Sequence, residues 1–339
     1  MDSWPEVDFA AARRRLDGVV ERTPLAPFAS GDPRVELRLK LECLQVAGAF
    51  KARGAWNQVA QLDDAGRRAG VVATSSGNHA GALAWAAQRA GVPCTVFMPA
   101  DAYPNKIAAC RERGAEVVLA PTREEAEAAC AEAVARGAVL VHPYDAARTI
   151  EGAGTTALEV LEQWPELEVL VCPVGGGGLI AGCSLAVARA NPARVAAGLP
   201  MVRVLGVEPE GAPSMTLGLR VGGPVQLERI TTRVQGLCPL DSGALNIAVA
   251  ASCVERVLTL PDELIFAAQS RLVREGGWVV EPAGAAAPAL VLSGSLPAAW
   301  LEGRDAASPL RVAAVVSGGN PDPAQLAAAR ASSAAPPAV

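Results

Sequence analysis

From about residue 71 the chain alternates short β-branched runs with longer Ala-rich stretches whose apolar positions recur every three or four residues. The runs at 71–74, 94–98, 116–119 and 139–142 predict strands, and the stretches at 79–90, 104–113 and 123–136 predict helices between them. A second series follows, with strands at 169–173, 202–207, 256–260 and 310–316 and helices at 179–190, 261–275 and 283–293. A further strand is expected at 37–42, an irregular Gly-rich region at 211–250, and a frayed Ala/Ser/Pro tail beyond about 325. Apolar strands separated by helices cannot leave a sheet face in water. The pattern therefore predicts an α/β protein whose parallel sheets are covered by helices on both faces.

In such sheets ligands bind beyond the carboxyl ends of strands, where loop amides and helix N-termini point outward. Three loops are predicted there. In Thr74-Ser75-Ser76-Gly77-Asn78-His79 the short polar residues exceed what one helix cap needs, and exposed N–H groups would cradle a carboxylate or phosphate. In Val174-Gly175-Gly176-Gly177-Gly178-Leu179 a tight turn accounts for one or two glycines, and the others are expected to let backbone approach an anion. This loop matches neither the GxxxxGK[ST] phosphate loop nor the dinucleotide fingerprint, so a compact phosphate monoester suits it better than a nucleotide. The third, Val315-Val316-Ser317-Gly318-Gly319-Asn320, ends in a hydroxyl that can donate to a ligand ring atom, although a plain turn has the same composition.

Charge and composition narrow the chemistry. A net charge of −5 with no basic block argues against nucleic acid or an anionic membrane surface as partner. No stretch approaches a membrane span and the N-terminus carries no export pattern, so a cytoplasmic location is expected. The eight cysteines include no C-x-x-C pair and read as buried free thiols. With two histidines and no ligand-spaced cluster, no metal site is expected. Only three of the thirty Lys and Arg residues are lysines: Lys40, Lys51 and Lys106. Lys51 lies in Ala47-Gly48-Ala49-Phe50-Lys51-Ala52-Arg53-Gly54-Ala55, with no carboxylate within eight positions. Desolvation there would lower its pKa and free the amine as nucleophile or base. Lys40, in an alternating strand, and Lys106, in a charged helix, suit ordinary solvated roles.

Together these segments resemble the serine/threonine dehydratase and serine racemase family, within the tryptophan-synthase-β-like pyridoxal-phosphate (PLP) enzymes. The resemblance runs from Arg22-Thr23-Pro24-Leu25 to Ser317-Gly318-Gly319-Asn320 with the motifs in family order. It includes Lys40-Leu41-Glu42, Gly152-Ala153-Gly154-Thr155, Gly206-Val207-Glu208-Pro209 and Glu281-Pro282-Ala283-Gly284-Ala285. It implies a two-domain fold, each domain with a mostly parallel sheet flanked by helices. Residues 1–45 plus 146–325 would form the large cofactor domain and 46–145 the small domain, with 326–339 a disordered tail. By the same resemblance Lys51 forms the Schiff base with PLP and then serves as base for the substrate α-proton. Phe50 packs on the cofactor ring, Asn78 bonds its 3-hydroxyl, Gly175, Gly176, Gly177, Gly178 and Leu179 hold the phosphate, and Ser317 faces the pyridine nitrogen. Glu281 lies near the ring. Ser75, Ser76, Gly77, Asn78 and His79 bind the substrate carboxylate, with Ser76 as acid/base opposite Lys51. A homodimer is the family expectation.

A neutral hydroxyl such as Ser317 cannot hold a proton on the pyridine nitrogen, which weakens the ring as an electron sink and suits β-elimination. The expected reaction is α,β-elimination from a small amino acid, L-threonine or L-serine, to a 2-oxo acid and ammonia. Racemisation and β-replacement share every motif and remain alternatives, and a non-catalytic phosphate- or nucleotide-binding protein is a rival of another class. The chain departs from the family at Ala47 and Ala49, where hydroxyls are usual, at Gly81 in place of Gln, and at Val234-Gln235-Gly236 in place of Ala-Asp-Gly. Ser214 stands where relatives that bind a divalent cation near Glu208 carry a second acid, so no bound metal is expected. With no regulatory domain after residue 325, feedback by isoleucine is not expected either.

Overall fold

The computed structural model describes residues 6–332. Its strands are β1 (Leu25–Phe28), β2 (Val35–Lys40), β3 (Val71–Thr74), β4 (Cys94–Pro99), β5 (Glu116–Ala120), β6 (Val139–Leu140), β7 (Val169–Pro173), β8 (Arg203–Pro209), β9 (Arg256–Leu260) and β10 (Leu310–Val315). They form a six-stranded sheet in the order β1-β2-β10-β7-β8-β9 and a four-stranded sheet in the order β5-β4-β3-β6. Every pairing is parallel except β1 with β2. The α/β class with two mostly parallel sheets is therefore as the sequence predicts.

Every residue of β7 is buried, as a central parallel strand covered on both faces must be. Alternate residues of the large sheet feed two cores. Leu37, Leu39, Val171, Leu205 and Val312 pack with Leu290 of the Pro282–Leu292 helix, while Leu170, Cys172, Val204 and Val315 pack with Ile150 and Ile180. The small sheet does the same, with Val71, Ala73 and Val96 on one face and Val72 and Phe97 on the other.

Three differences from the sequence reading concern local signals. The region 211–250 carries helices at Ser214–Val221 and Ala244–Cys253. The helix expected at 179–190 runs Gly178–Ala196, through Pro192, and Arg194 beyond the proline is buried and donates to the Pro165, Leu167 and Pro200 carbonyls. The expected tail contains a helix, Pro323–Ala331, started by an Asp322/Gln325 capping box; the tail beyond 332 lies outside the described residues. Beyond these, the Lys51–Val59 and Ala147–Gln163 helices are elements that the sequence reading did not include.

The glycines of Gly152-Ala153-Gly154 explain how those helices meet. A Cβ on Gly152 would lie 2.6 Å from the Arg53 carbonyl, and one on Gly154 2.7 Å from the Gly182 carbonyl. Three helix backbones thus pack directly against one another. A buried ionic network locks them. Arg53, fully buried, donates Nε (2.8 Å) and an NH2 (2.7 Å) to the two oxygens of Glu42, and also donates to both oxygens of Glu159 (2.7 and 2.9 Å). Lys40 donates to Glu159, to the Thr23 carbonyl at 2.8 Å and to Gln163 Oε1 at 3.0 Å. Lys40 is fully buried, contrary to the solvated role expected: strand alternation was misread because the sheet is covered on both sides. Two cations face two carboxylates, so the cluster is neutral. Breaking such a buried set by removing one partner leaves uncompensated charge and costs about 3–5 kcal/mol. Arg53→Met is therefore expected to destabilise the protein by that amount, read as a lower midpoint in urea unfolding.

Candidate active site

Lys51 opens its helix immediately after an unusual turn. Ala47 (φ 59°) and Gly48 (φ 71°) are both left-handed, and the chain then straightens at Ala49. Gly48 could not carry a side chain, since its Cβ would sit 2.3 Å from Asn320 Oδ1. The straightened segment bridges to the end of β10: Ala49 pairs with Gly318, Phe50 N donates to the Ser317 carbonyl at 3.0 Å, and Gly319 N to the Gly48 carbonyl at 2.8 Å. Lys51 and Ser317, far apart in sequence, are joined through this mini-ladder. Lys51 Nζ donates to the Pro143 carbonyl at 2.7 Å and lies 5.0 Å from the centre of the Phe50 ring. Burial lowers its pKa to about 8, and no carboxylate acts on it.

The Ser75–His79 loop leaves β3 as predicted, and none of its polar side chains caps the Asn78–Ala90 helix that follows. Ser75 Oγ instead accepts from Gly77 N at 3.2 Å, and the Ser76 hydroxyl has no partner among the described residues. The simple-cap explanation fails, and the N-terminal amides stay open to an anion. His79 differs from expectation in one respect: its buried ring bonds through Nε2 to the Val141 carbonyl at 2.7 Å, so only its backbone is free for substrate. Burial, aided by the Lys51 charge, lowers its pKa to about 3.

The glycine loop also begins a helix with no side-chain cap. Backbone N–H groups from Gly175 to Leu179 donate to no protein acceptor among the described residues, whereas the carbonyls are engaged. Gly175 O accepts from Ser242 Oγ (3.1 Å), and Gly176 O accepts from Asn246 Nδ2 (2.7 Å) and Gly243 N (3.1 Å). With carbonyls turned one way, the amides face the other and form an anion cradle. The glycines have a second cause that sequence could not reveal. A Cβ on Gly176 would strike the Tyr144 ring at 2.3 Å, one on Gly178 the Tyr144 carbonyl at 2.9 Å, and one on Gly177 Met215 Cε at 2.5 Å. Gly177 is also left-handed, at φ 92°. Tyr144, one of two tyrosines, thus packs on the loop while the preceding Pro143 receives Lys51. Its hydroxyl donates to Asp241 at 2.9 Å, and Asp145 caps the Ala244–Cys253 helix through Ala244 N and Leu245 N. None of these residues carried a motif signal.

Ser317 is buried and its hydroxyl reaches the Ala283 carbonyl at 3.3 Å, a long bond readily exchanged for a ligand atom. Beside it Glu281 accepts from Asn78 Nδ2, and a Cβ on Gly318 would lie 2.1 Å from Glu281 Oε1. Burial raises the Glu281 pKa. Lys106 is mostly buried, 3.8 Å from Glu281 Oε2, and not in a solvated role as its helix suggested. Glu208 accepts from Met215 N (2.7 Å), Thr216 N (2.9 Å) and Thr216 Oγ1 (2.7 Å), so it anchors the Ser214–Val221 helix. Burial pushes its pKa up to about 7 despite those bonds.

A nucleophilic amine, an amide cradle at a helix N-terminus, a second uncapped helix start and a buried hydroxyl define a parallel-sheet enzyme site suited to an aldehyde cofactor bearing a phosphate. Residues 16–318 match the family model described as pyridoxal-phosphate dependent enzyme. The chain is similar to L-threonine ammonia-lyase of Thermotoga maritima, 39% identical over 93% of this chain and 75% of that protein. It is also similar to phenylserine dehydratase of Ralstonia pickettii, 36% identical over 84% of this chain and 86% of that protein. The solved structure of maize serine racemase superposes with a TM-score of 0.84 at 34% identity, covering 94% of each chain. The chain belongs to the pyridoxal-phosphate dependent enzyme family, with the tryptophan-synthase-β-like fold, and PLP is its cofactor.

The lowered pKa has a direct consequence. A pKa lowered to about 8 leaves far more of Lys51 as free amine near neutral pH than of an ordinary lysine, whose pKa is about 10.4. Labelling cofactor-free protein with formaldehyde and cyanoborohydride is expected to modify Lys51 at half its limiting rate near pH 8, read by peptide mass spectrometry. A midpoint at or above pH 10 would show the amine to be solvated.

Proposed function

We propose that the protein eliminates water and ammonia from a small hydroxy amino acid, L-threonine or L-serine, giving a 2-oxo acid. The observation that carries this reading is the neutral Ser317 hydroxyl, held at a carbonyl beside the Lys51 segment where a carboxylate would make a stronger electron sink. Relatives named L-threonine ammonia-lyase and phenylserine dehydratase support the same class of reaction. When bound, PLP supplies an electron sink that labilises the bonds at the substrate α-carbon.

In this reading Lys51 holds the cofactor and afterwards accepts the α-proton, for which an amine of pKa about 8 is suited near neutral pH. Phe50 would pack on the ring, the second N–H of Asn78 would be available to its 3-oxygen, and Ser317 would face its nitrogen. Amides of Gly175 to Leu179 would hold the phosphate, and Glu281 would lie near the ring. Backbone amides of Ser75 to His79 bind the substrate carboxylate, and the unpartnered Ser76 hydroxyl exchanges protons on the face opposite Lys51. Residues 46–145 form a small domain that closes over the substrate and excludes water, with 1–45 and 146–325 as the large domain. The assembly is a homodimer. The cytoplasm suits it, since all eight cysteines are free.

Purified protein is expected to absorb near ~410–420 nm, as lysine-bound PLP does generally, and Lys51→Ala to lose that band. With L-threonine or L-serine it is expected to release keto acid and ammonia in equal amounts. Inversion of serine without keto acid would assign racemisation instead, as the similarity to maize serine racemase allows. Colourless protein with no reducible lysine adduct would leave a non-catalytic phosphate binder.

A further inference from the structure

Two residues with no role so far, Lys106 and Asn320, meet at the side-chain amide of Asn78. Lys106 lies on the Pro104–Glu112 helix, which joins β4 to β5 of the small sheet, and Asn320 follows β10 of the large one. Asn320 Nδ2 donates at 2.9 Å both to the Ala47 carbonyl and to Asn78 Oδ1. Lys106 Nζ donates to the Asn320 carbonyl and lies 3.5 Å from Asn78 Oδ1 and 3.8 Å from Glu281 Oε2. Asn78 Nδ2 in turn donates to Glu281 Oε1.

The donor and acceptor inventory makes this arrangement one-way. An ammonium has donors only, and both N–H groups of Asn320 are directed at oxygens. One Asn320 N–H donates to Asn78 Oδ1, and the Lys106 ammonium lies 3.5 Å from the same oxygen. The amide nitrogen is left with one N–H on Glu281 and one N–H unspent. Rotating the amide by 180° would set its NH2 against an ammonium and another NH2, and its oxygen against a carboxylate. Favourable contacts would become like-against-like contacts in a buried place, where they cost most. The left-handed Ala47 is part of the device, because that conformation holds its carbonyl where Asn320 donates.

We infer that Lys106 is a positioning residue: together with Asn320 it holds the Asn78 amide in the orientation that presents an N–H to the anionic 3-oxygen of the cofactor. The inference rests on the reading that Asn78 faces the ring. It also makes that contact depend on the packing of the small sheet's Pro104–Glu112 helix against the Asn320 segment of the large sheet, because the ammonium belongs to one and its acceptor to the other. The charged and titratable groups acting on Lys106 are Glu281, Asp322 and Cys110.

The test titrates full-length, cofactor-stripped protein with PLP, following the visible band, and records the thermal midpoint without cofactor. Lys106→Met is expected to weaken PLP binding about tenfold, the loss of one charge-assisted contact. Its cofactor-free midpoint is expected to stay within about 2 °C of wild type. Lys106→Arg restores binding to within about threefold. Asn320→Asp replaces the donor by an acceptor, turns the Asn78 amide over, and weakens binding comparably with Lys106 intact. Unchanged binding in Lys106→Met overturns the inference, as does equal impairment of the Met and Arg variants. A cofactor-free midpoint that falls well beyond about 2 °C would make Lys106 a strut between sheets, which also overturns it. Should Lys106→Met not fold, Asn320→Asp decides. Failure of the underlying reading is distinct, since wild type would then form no visible band or Lys51→Ala would keep it.

Discussion

The structure depends on the buried Arg53 guanidinium, which binds Glu42 in the turn after β2 and Glu159 on the Ala147–Gln163 helix. Arg53 is two residues from Lys51, so this pair of bidentate contacts sets where the reactive amine begins its helix. A guanidinium is suited to the place because its rigid fork matches two carboxylates at once and it stays charged without water. Lys40 neutralises the second acid, which is why the desolvated cluster is tolerated at all. The position of Lys51 is thus decided by charges that never touch substrate.

Around that anchor the site is assembled by backbone rather than by side chains. The Gly48–Phe50 segment ladders onto Ser317–Gly319, and Pro143 and Tyr144 link Lys51 to the glycine loop. Each junction is a close approach that a methyl group would block, as at Gly48, Gly176 and Gly318. Such a site holds its amides in place before any ligand arrives, which is what an anion cradle requires. The same crowding lets Lys51 lose solvent without gaining a carboxylate, so burial alone tunes the amine.

Much of this was legible in the sequence because it lies in local patterns. Strands β3, β7 and β9 have the predicted bounds, since each is a short run rich in β-branched and apolar residues. Lys51 stood out by its apolar neighbours and the loops by their composition. Illegible were the partners supplied from far along the chain: Tyr144 on Gly176, Asn320 on Asn78, Glu159 on Arg53. Lys40 and Lys106 were misjudged for the same reason, because each is buried by an element distant in sequence.

Periodicity and composition by themselves determined the α/β class, the alternation of strands and helices over 71–142, and the choice of Lys51 and the three strand-end loops as candidates. Each of these follows from side chains a few residues apart. Only the tertiary structure decided that Gly176 to Gly178 lie against Tyr144 and Met215, that the His79 ring is spent on Val141, and that the Asn78 amide lies between Lys106 and Asn320. Close approach and hydrogen-bond direction are properties of groups in space, and a linear sequence does not say which of them become neighbours.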